Sequence, residues 1–130
     1  MQYKKETILV IDDDEAMREY VCFVLEKAGF KVFSAKDGNE GISTADSHTP
    51  DVIITDLVMP EMEGIETIKK LRTLHPKCGI VAMSGAVNSD TYLAMAQCLG
   101  ANTVLQKPFA RSQVENAVRI TLEKSAALSA

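Results

Sequence analysis

The chain has 130 residues, 46% of them hydrophobic and 25% charged, with a formal net charge of -4. A chain of this length buries about two-thirds of its unfolded surface, so its core requires neither a disulfide nor a structural metal, and the composition excludes a disordered tail. A mild acidic excess with no Lys/Arg block argues against unaided binding to nucleic acid or to an anionic membrane.

In chain order, short apolar runs alternate with helical patterns, the rhythm of βαβ units around a parallel sheet. Met1–Thr7 has basic residues but no apolar h-region behind them, so no signal peptide is read and a cytoplasmic location is expected. The first run is Thr7–Ile11, followed by a helix whose stripe is Met17, Tyr20, Val21, Val24, Leu25 and Ala28 and which Gly29 stops. Lys31–Ala35 forms the second run. After the Asp37-Gly38 turn comes a weak helix with Ile42 and Ala45 as nearly its whole apolar face. Val52–Thr55 is the third run, and Ile65, Ile68, Leu71 and Leu74 mark the third helix, ended at His75-Pro76.

Ile80–Met83 is the fourth run. The helix after it, about Ser89 to Leu99, is unusually apolar, with Tyr92, Leu93, Met95, Cys98 and Leu99. Thr103–Leu105 completes the strands, and a fifth helix from about Arg111 to Lys124 turns Val114, Ala117, Val118, Thr121 and Leu122 inward. No run approaches the ~20 apolar residues of a membrane span. The reading is one domain over 1–130 with a core of about 7–124, and 125–130 as a frayed end or the start of a linker. Five β/α units of this kind predict an open, doubly wound α/β sheet with helices on both faces. Such sheets bind ligands at the carboxyl ends of their strands.

The chemistry-bearing residues fall at those ends. The first strand runs into Asp12-Asp13-Asp14-Glu15, the third into Asp56, the fourth into Ser84-Gly85 and the fifth into Lys107-Pro108. With the first strand central, Asp12, Asp13 and Asp56 share one edge, with Ser84 and Lys107 beside them. Like-charged carboxylates ~4 Å apart repel by about 4 kcal/mol per pair at an effective dielectric near 20, which calls for a cation, a raised pKa, or both. Carboxylate oxygens with room for water and a phosphoryl oxygen suit Mg²⁺. Lys107 brings a mobile positive charge and Ser84 a hydroxyl donor. Together these are the parts needed for a carboxylate to attack phosphorus.

Each residue also has a plainer role. Asp14 is a good helix N-cap, and capping is preferred to metal binding there. An acidic pair after a strand is often turn chemistry, Asp56 alone a solvated loop residue, and Lys107 alone a surface lysine. Their joint occurrence at four strand ends favours the chemical reading. Cys22, Cys78 and Cys98 are odd in number and at no ligand spacing, so they read as reduced thiols packed as small apolar groups. His48 and His75 sit in polar, turn-like contexts and are assigned no chemistry.

The segments "ILVIDDDE", "DVIITDLVMPEMEGIE", "VAMSG" and "KPF" together resemble the signature of two-component response-regulator receiver domains, from Ile8 to about Leu122. The resemblance implies a flavodoxin-like domain with five parallel strands in the order 2-1-3-4-5 and five helices. It implies that Asp56 accepts a phosphoryl group, and that Asp12, Asp13, Asp56 and the main-chain carbonyl of Val58 hold Mg²⁺, with Mn²⁺ as a substitute. Ser84 and Lys107 would then bond the phosphoryl oxygens, and the Lys107-Pro108 bond would be cis. Pro60 and Gly64 match the loop that leads into the third helix.

The implied partners are a sensor histidine kinase or a histidine phosphotransfer protein as donor, and an output protein or domain as receiver of the signal. A phosphorylation-dependent homodimer is a further expectation. The chain would assist its own phosphorylation rather than turn over a substrate as a conventional enzyme does. Val104 departs from the pattern, standing where the family commonly has Tyr or Phe, and this puts an aromatic report on the face of the fourth and fifth helices in doubt. Val58 and Ala86, two residues beyond Asp56 and Ser84, can neither give nor take a proton from water, so the phosphorylated form is expected to be long-lived.

Three other readings fit less well. An aspartate-nucleophile phosphatase wants a hydroxyl or β-branched residue where Ala16 stands. A flavin or nucleotide binder wants a Gly/Ser/Thr-rich first loop, whereas Asp-Asp-Asp-Glu repels phosphate unless a metal intervenes. A docking module that is never phosphorylated would not need the full acidic set.

Overall fold

The computed structural model describes residues 5–57, 64–85 and 89–129, apart from the side chains of 89–90, 92–93 and 126–129. In chain order the elements are β1 (Thr7–Ile11), α1 (Glu15–Lys27), β2 (Lys31–Ala35), α2 (Gly38–His48), β3 (Val52–Asp56), α3 (Gly64–Leu74), β4 (Gly79–Ser84), α4 (Ser89–Leu99), β5 (Thr103–Gln106) and α5 (Arg111–Ser129). The strands form one parallel sheet in the order β2-β1-β3-β4-β5. This is the flavodoxin-like arrangement with five helices.

The central strands owe their places to unbroken apolar runs. A strand covered on both faces has no water-facing side, and every residue of β3 and β4 is buried. Alternation along the pleat then divides the core in two. Leu9, Ile11, Ile53, Ile80 and Ala82 point to the layer of α2, α3 and α4, where they meet Ala45, Ile68, Leu71 and Ala96. Ile8, Val10, Ile54, Val81 and Met83 point the other way, to Val21, Val24 and Leu25 of α1 and Val114, Ala117 and Val118 of α5. Each fully buried side chain of this size contributes about 1.5–3 kcal/mol relative to exposure.

Local chemistry fixes the helix ends. Asp14 caps α1, its carboxylate accepting from the Met17 N–H at 3.2 Å, and Asp37 caps α2 through the Glu40 N–H at 2.8 Å. Gly29, at φ +99°, takes the left-handed conformation that ends α1, and the Phe30 N–H turns back to the Leu25 carbonyl.

Several expectations are corrected. β3 and β4 each run one residue further than their apolar cores, to Asp56 and Ser84. α5 continues through Ser129 instead of ending near Lys124, since Ser125–Ser129 contains no Gly or Pro to stop it. Tyr20 is 42% exposed: Val21, Val24 and Leu25 form the buried stripe, with Met17 and Ala28 partly buried against it, and Tyr20 lies on its border. Leu74, the last residue of α3, is 53% exposed. All three cysteines are free, but only Cys78 is buried, Cys22 is half-buried, and Cys98 on α4 is exposed with Met95. Among the described residues no helix is long and apolar enough to cross a membrane.

Candidate functional site

Asp12 follows β1 directly and has no exposed surface. Its N–H extends the ladder to the Ala35 carbonyl at 3.2 Å, and its side chain is used twice. Oδ1 accepts the Asp14 N–H at 3.0 Å and Oδ2 accepts from Lys107 Nζ at 3.2 Å. Its carbonyl accepts from the Arg18 guanidinium at 2.8 Å. Asp13, the next residue, is exposed.

Asp56 closes β3 and is only 7% exposed. It sits opposite Met83 in the register of β4, and the Leu57 N–H beyond it donates to the Met83 carbonyl at 2.9 Å. Thr55 Oγ1 donates to the Asp56 carbonyl at 3.1 Å. A Cβ at Gly64 would overlap that same carbonyl and the Leu57 backbone, so a side-chain-free residue is needed for α3 to start against the end of β3.

Lys107 is carried by the turn after β5. Its N–H donates to the Ser84 carbonyl at 2.9 Å, and the Lys107–Pro108 peptide is cis. Its ammonium reaches back over the strand ends to Asp12, and lies 3.5 Å from Asp56 Oδ2. Gly85 leaves room for its stem, since a Cβ there would come within 2.9 Å of Lys107 Cβ. Ser84 is buried at the last position of β4, opposite Gln106. Val58, Pro60 and Ala86 lie outside the described residues, as do the side chains of Tyr92 and Leu93.

The structure thus brings Asp12, Asp13, Asp56 and Lys107 together. One carboxylate oxygen from each of the three acids falls within 4.8 Å of the others, among residues that are buried, exposed and buried in turn. The set is all hard oxygen with no thiolate or imidazole, which fits Mg²⁺, Mn²⁺ or Ca²⁺ better than Zn²⁺. Three carboxylates against the Lys107 ammonium and the Arg18 guanidinium leave an excess of negative charge that a divalent cation would neutralise. Sequence reasoning overlooked Arg18. A signal was present: a basic residue in the first turn of a helix opposes the helix dipole and invites another explanation.

Comparison with known proteins agrees with this architecture. The profile of the response regulator receiver domain matches residues 8–119. The chain is 32% identical over 118 residues to the alkaline phosphatase synthesis transcriptional regulatory protein PhoP of Bacillus subtilis, covering 91% of this chain and 49% of that protein. It is also 32% identical over 116 residues to the chemotaxis protein CheY of the same organism, covering 88% of this chain and 96% of CheY. The chain therefore spans about half the length of PhoP and nearly all of CheY. A CheY-like receiver domain from Methanospirillum hungatei superposes with a TM-score of 0.89 at 23% identity, covering 95% of this chain and 98% of that one, a likeness of fold. The chain belongs to the response regulator receiver domain family of two-component systems.

Proposed function

We propose that this chain is the phosphoacceptor switch of a two-component phosphorelay, with Asp56 as the residue modified. A carboxylate oxygen of Asp56 would attack the phosphorus of a phosphohistidine on a sensor kinase or phosphotransfer protein. The new bond is P–O, the bond broken is P–N, and its electron pair leaves with the imidazole, which takes up a proton. The observation that carries this reading is the convergence of Asp12, Asp13 and Asp56 with the Lys107 ammonium over one sheet edge.

Asp12, Asp13, Asp56 and the Val58 carbonyl would hold Mg²⁺, or Mn²⁺ in its place, and the ion would neutralise charge on the nucleophile and the phosphoryl oxygens. Lys107, already beside Asp56, would follow the phosphoryl group as a point charge. Ser84 would supply a hydroxyl donor from the neighbouring strand end. The added charge would bias an existing equilibrium between two conformations. Output would be a contact with a downstream protein, with a linked domain or with a second copy, in the cytoplasm. With Val58 and Ala86 unable to help water attack, the phosphorylated form would last far longer than seconds.

Intact mass after incubation with acetyl phosphate and Mg²⁺ tests this. Wild type should gain one phosphoryl group and Asp56→Asn none. Equal incorporation by the two would refute the assignment, and a wild-type half-life of seconds would refute the claim of longevity.

A further inference from the structure

Asp13 is the exposed member of the acidic set, so solvent alone would leave its carboxylate free to wander. The main chain on both sides of it is nevertheless held. The Asp12 carbonyl, in the peptide before Asp13, accepts from Arg18 at 2.8 Å. The Asp14 N–H, in the peptide after it, donates to Asp12 Oδ1 at 3.0 Å. Arg18 itself is half-buried one turn into α1, and the Arg18 N–H starts the helix by donating to the Asp14 carbonyl at 2.9 Å.

From this we infer that Arg18 is a positioning residue for divalent-cation binding: its guanidinium fixes the Asp12–Asp13 peptide and so presents the Asp13 carboxylate. The inference rests on the metal reading of the acidic cluster. Arg18 does not touch the ion and acts through the peptide it grips. Groups that orient a ligand are typically worth on the order of tenfold or more in metal affinity.

The sign of the effect separates this role from simple electrostatics. Arg18 brings a positive charge to the peptide between two of the three acids, Asp12 and Asp13. If that charge were all that mattered, removing it would strengthen attraction for a cation and tighten binding. A lost clamp does the reverse.

Calorimetric titration of the full chain with Mg²⁺ is the test, on wild type, Arg18→Gln, Arg18→Lys and Asp13→Asn. Arg18→Gln should raise the dissociation constant on the order of tenfold. Arg18→Lys, which keeps the charge but not the planar fork, should weaken binding less. Thermal unfolding in a chelator reports whether each variant is folded, and Arg18→Lys carries the test if Arg18→Gln is not. Unchanged or tighter Mg²⁺ binding by folded Arg18→Gln, or by folded Arg18→Lys where it carries the test, would overturn the inference. Wild-type affinity in Asp13→Asn would instead overturn the metal reading beneath it.

Discussion

The two ends of the sheet treat charge in opposite ways. At the carboxyl end, three carboxylates crowd beside the Lys107 ammonium, with the Arg18 guanidinium on the Asp12 carbonyl, and the acids still outnumber the cations. At the amino end, a cation is spread over many acceptors. Arg72 of α3 donates to the carbonyls of Gly100, Pro76 and Cys78 and to Asn102 Oδ1, at 2.7–3.2 Å. Asn102 Oδ1 also accepts the Ile80 N–H at 2.8 Å, so one guanidinium ties α3, the end of α4 and the starts of β4 and β5 together. Nearby, the buried Cys78 thiol lies 3.3 Å from the Pro50 carbonyl. A cation shared among neutral acceptors holds a fold, whereas a cluster with net negative charge is poised to take up a cation.

That contrast gives a series of expected outcomes. The largest effect belongs to the amino end. Arg72→Ala should lower the free energy of unfolding by about 2–3 kcal/mol, because its charged hydrogen bonds are lost and carbonyls are left unpaired. Urea denaturation measures this, and Mg²⁺ affinity should be unchanged. A large loss of ion binding would mean that the two ends are not independent.

Next comes a pH effect at the same end. Burial pushes the Cys78 thiol from its ordinary 9.0 up to about 12, with Arg72 pulling it partly back. The folded state thus prefers the neutral thiol, and the stability this confers is complete below pH ~9 and lost as pH rises toward ~12. Wild type should lose stability faster than Cys78→Ala as pH rises through the start of that window, by about 1 kcal/mol between pH ~9 and pH ~10. Parallel curves would show that the thiol ionises freely in the fold.

The smallest effect is at the carboxyl end and has the opposite sign. Asp13→Asn removes one of three repelling charges, and in a chelator it should stabilise the chain by a few tenths to ~1 kcal/mol, modestly because Asp13 is exposed. Saturating Mg²⁺ should erase the advantage, since only wild type gains binding energy on folding. Destabilisation without metal would contradict the repulsion argument.

Much of this architecture can be read from the residues, and the misreadings have physical causes. Val/Ile runs locate the central strands, because strands covered on both faces are apolar along most of their length. The edge strands β2 and β5 are shorter on such residues and partly exposed. The central runs stop short at Asp56 and Ser84 because a polar residue looks like a strand end, although both remain in the ladder. The acidic set is visible as letters, but its convergence follows from strand order, which periodicity does not specify. Arg18 and Arg72 escape notice for another reason. A long side chain that grips a carbonyl six or twenty-eight residues away leaves its partner unmarked in the sequence, even where, as for Arg18, its place in a first helical turn is a signal. Glycines at 64 and 85 are likewise explained only by the neighbours that crowd them, the Asp56 carbonyl and the Lys107 stem.

The most direct measurement is the site of modification after treatment with acetyl phosphate, mapped by peptide mass spectrometry with Mg²⁺ and again with a chelator. A single phosphoryl group is expected on Asp56, and it should fail to appear once the divalent ion is removed. A phosphoryl group on any other residue, or undiminished labelling in the chelator, would contradict this expectation.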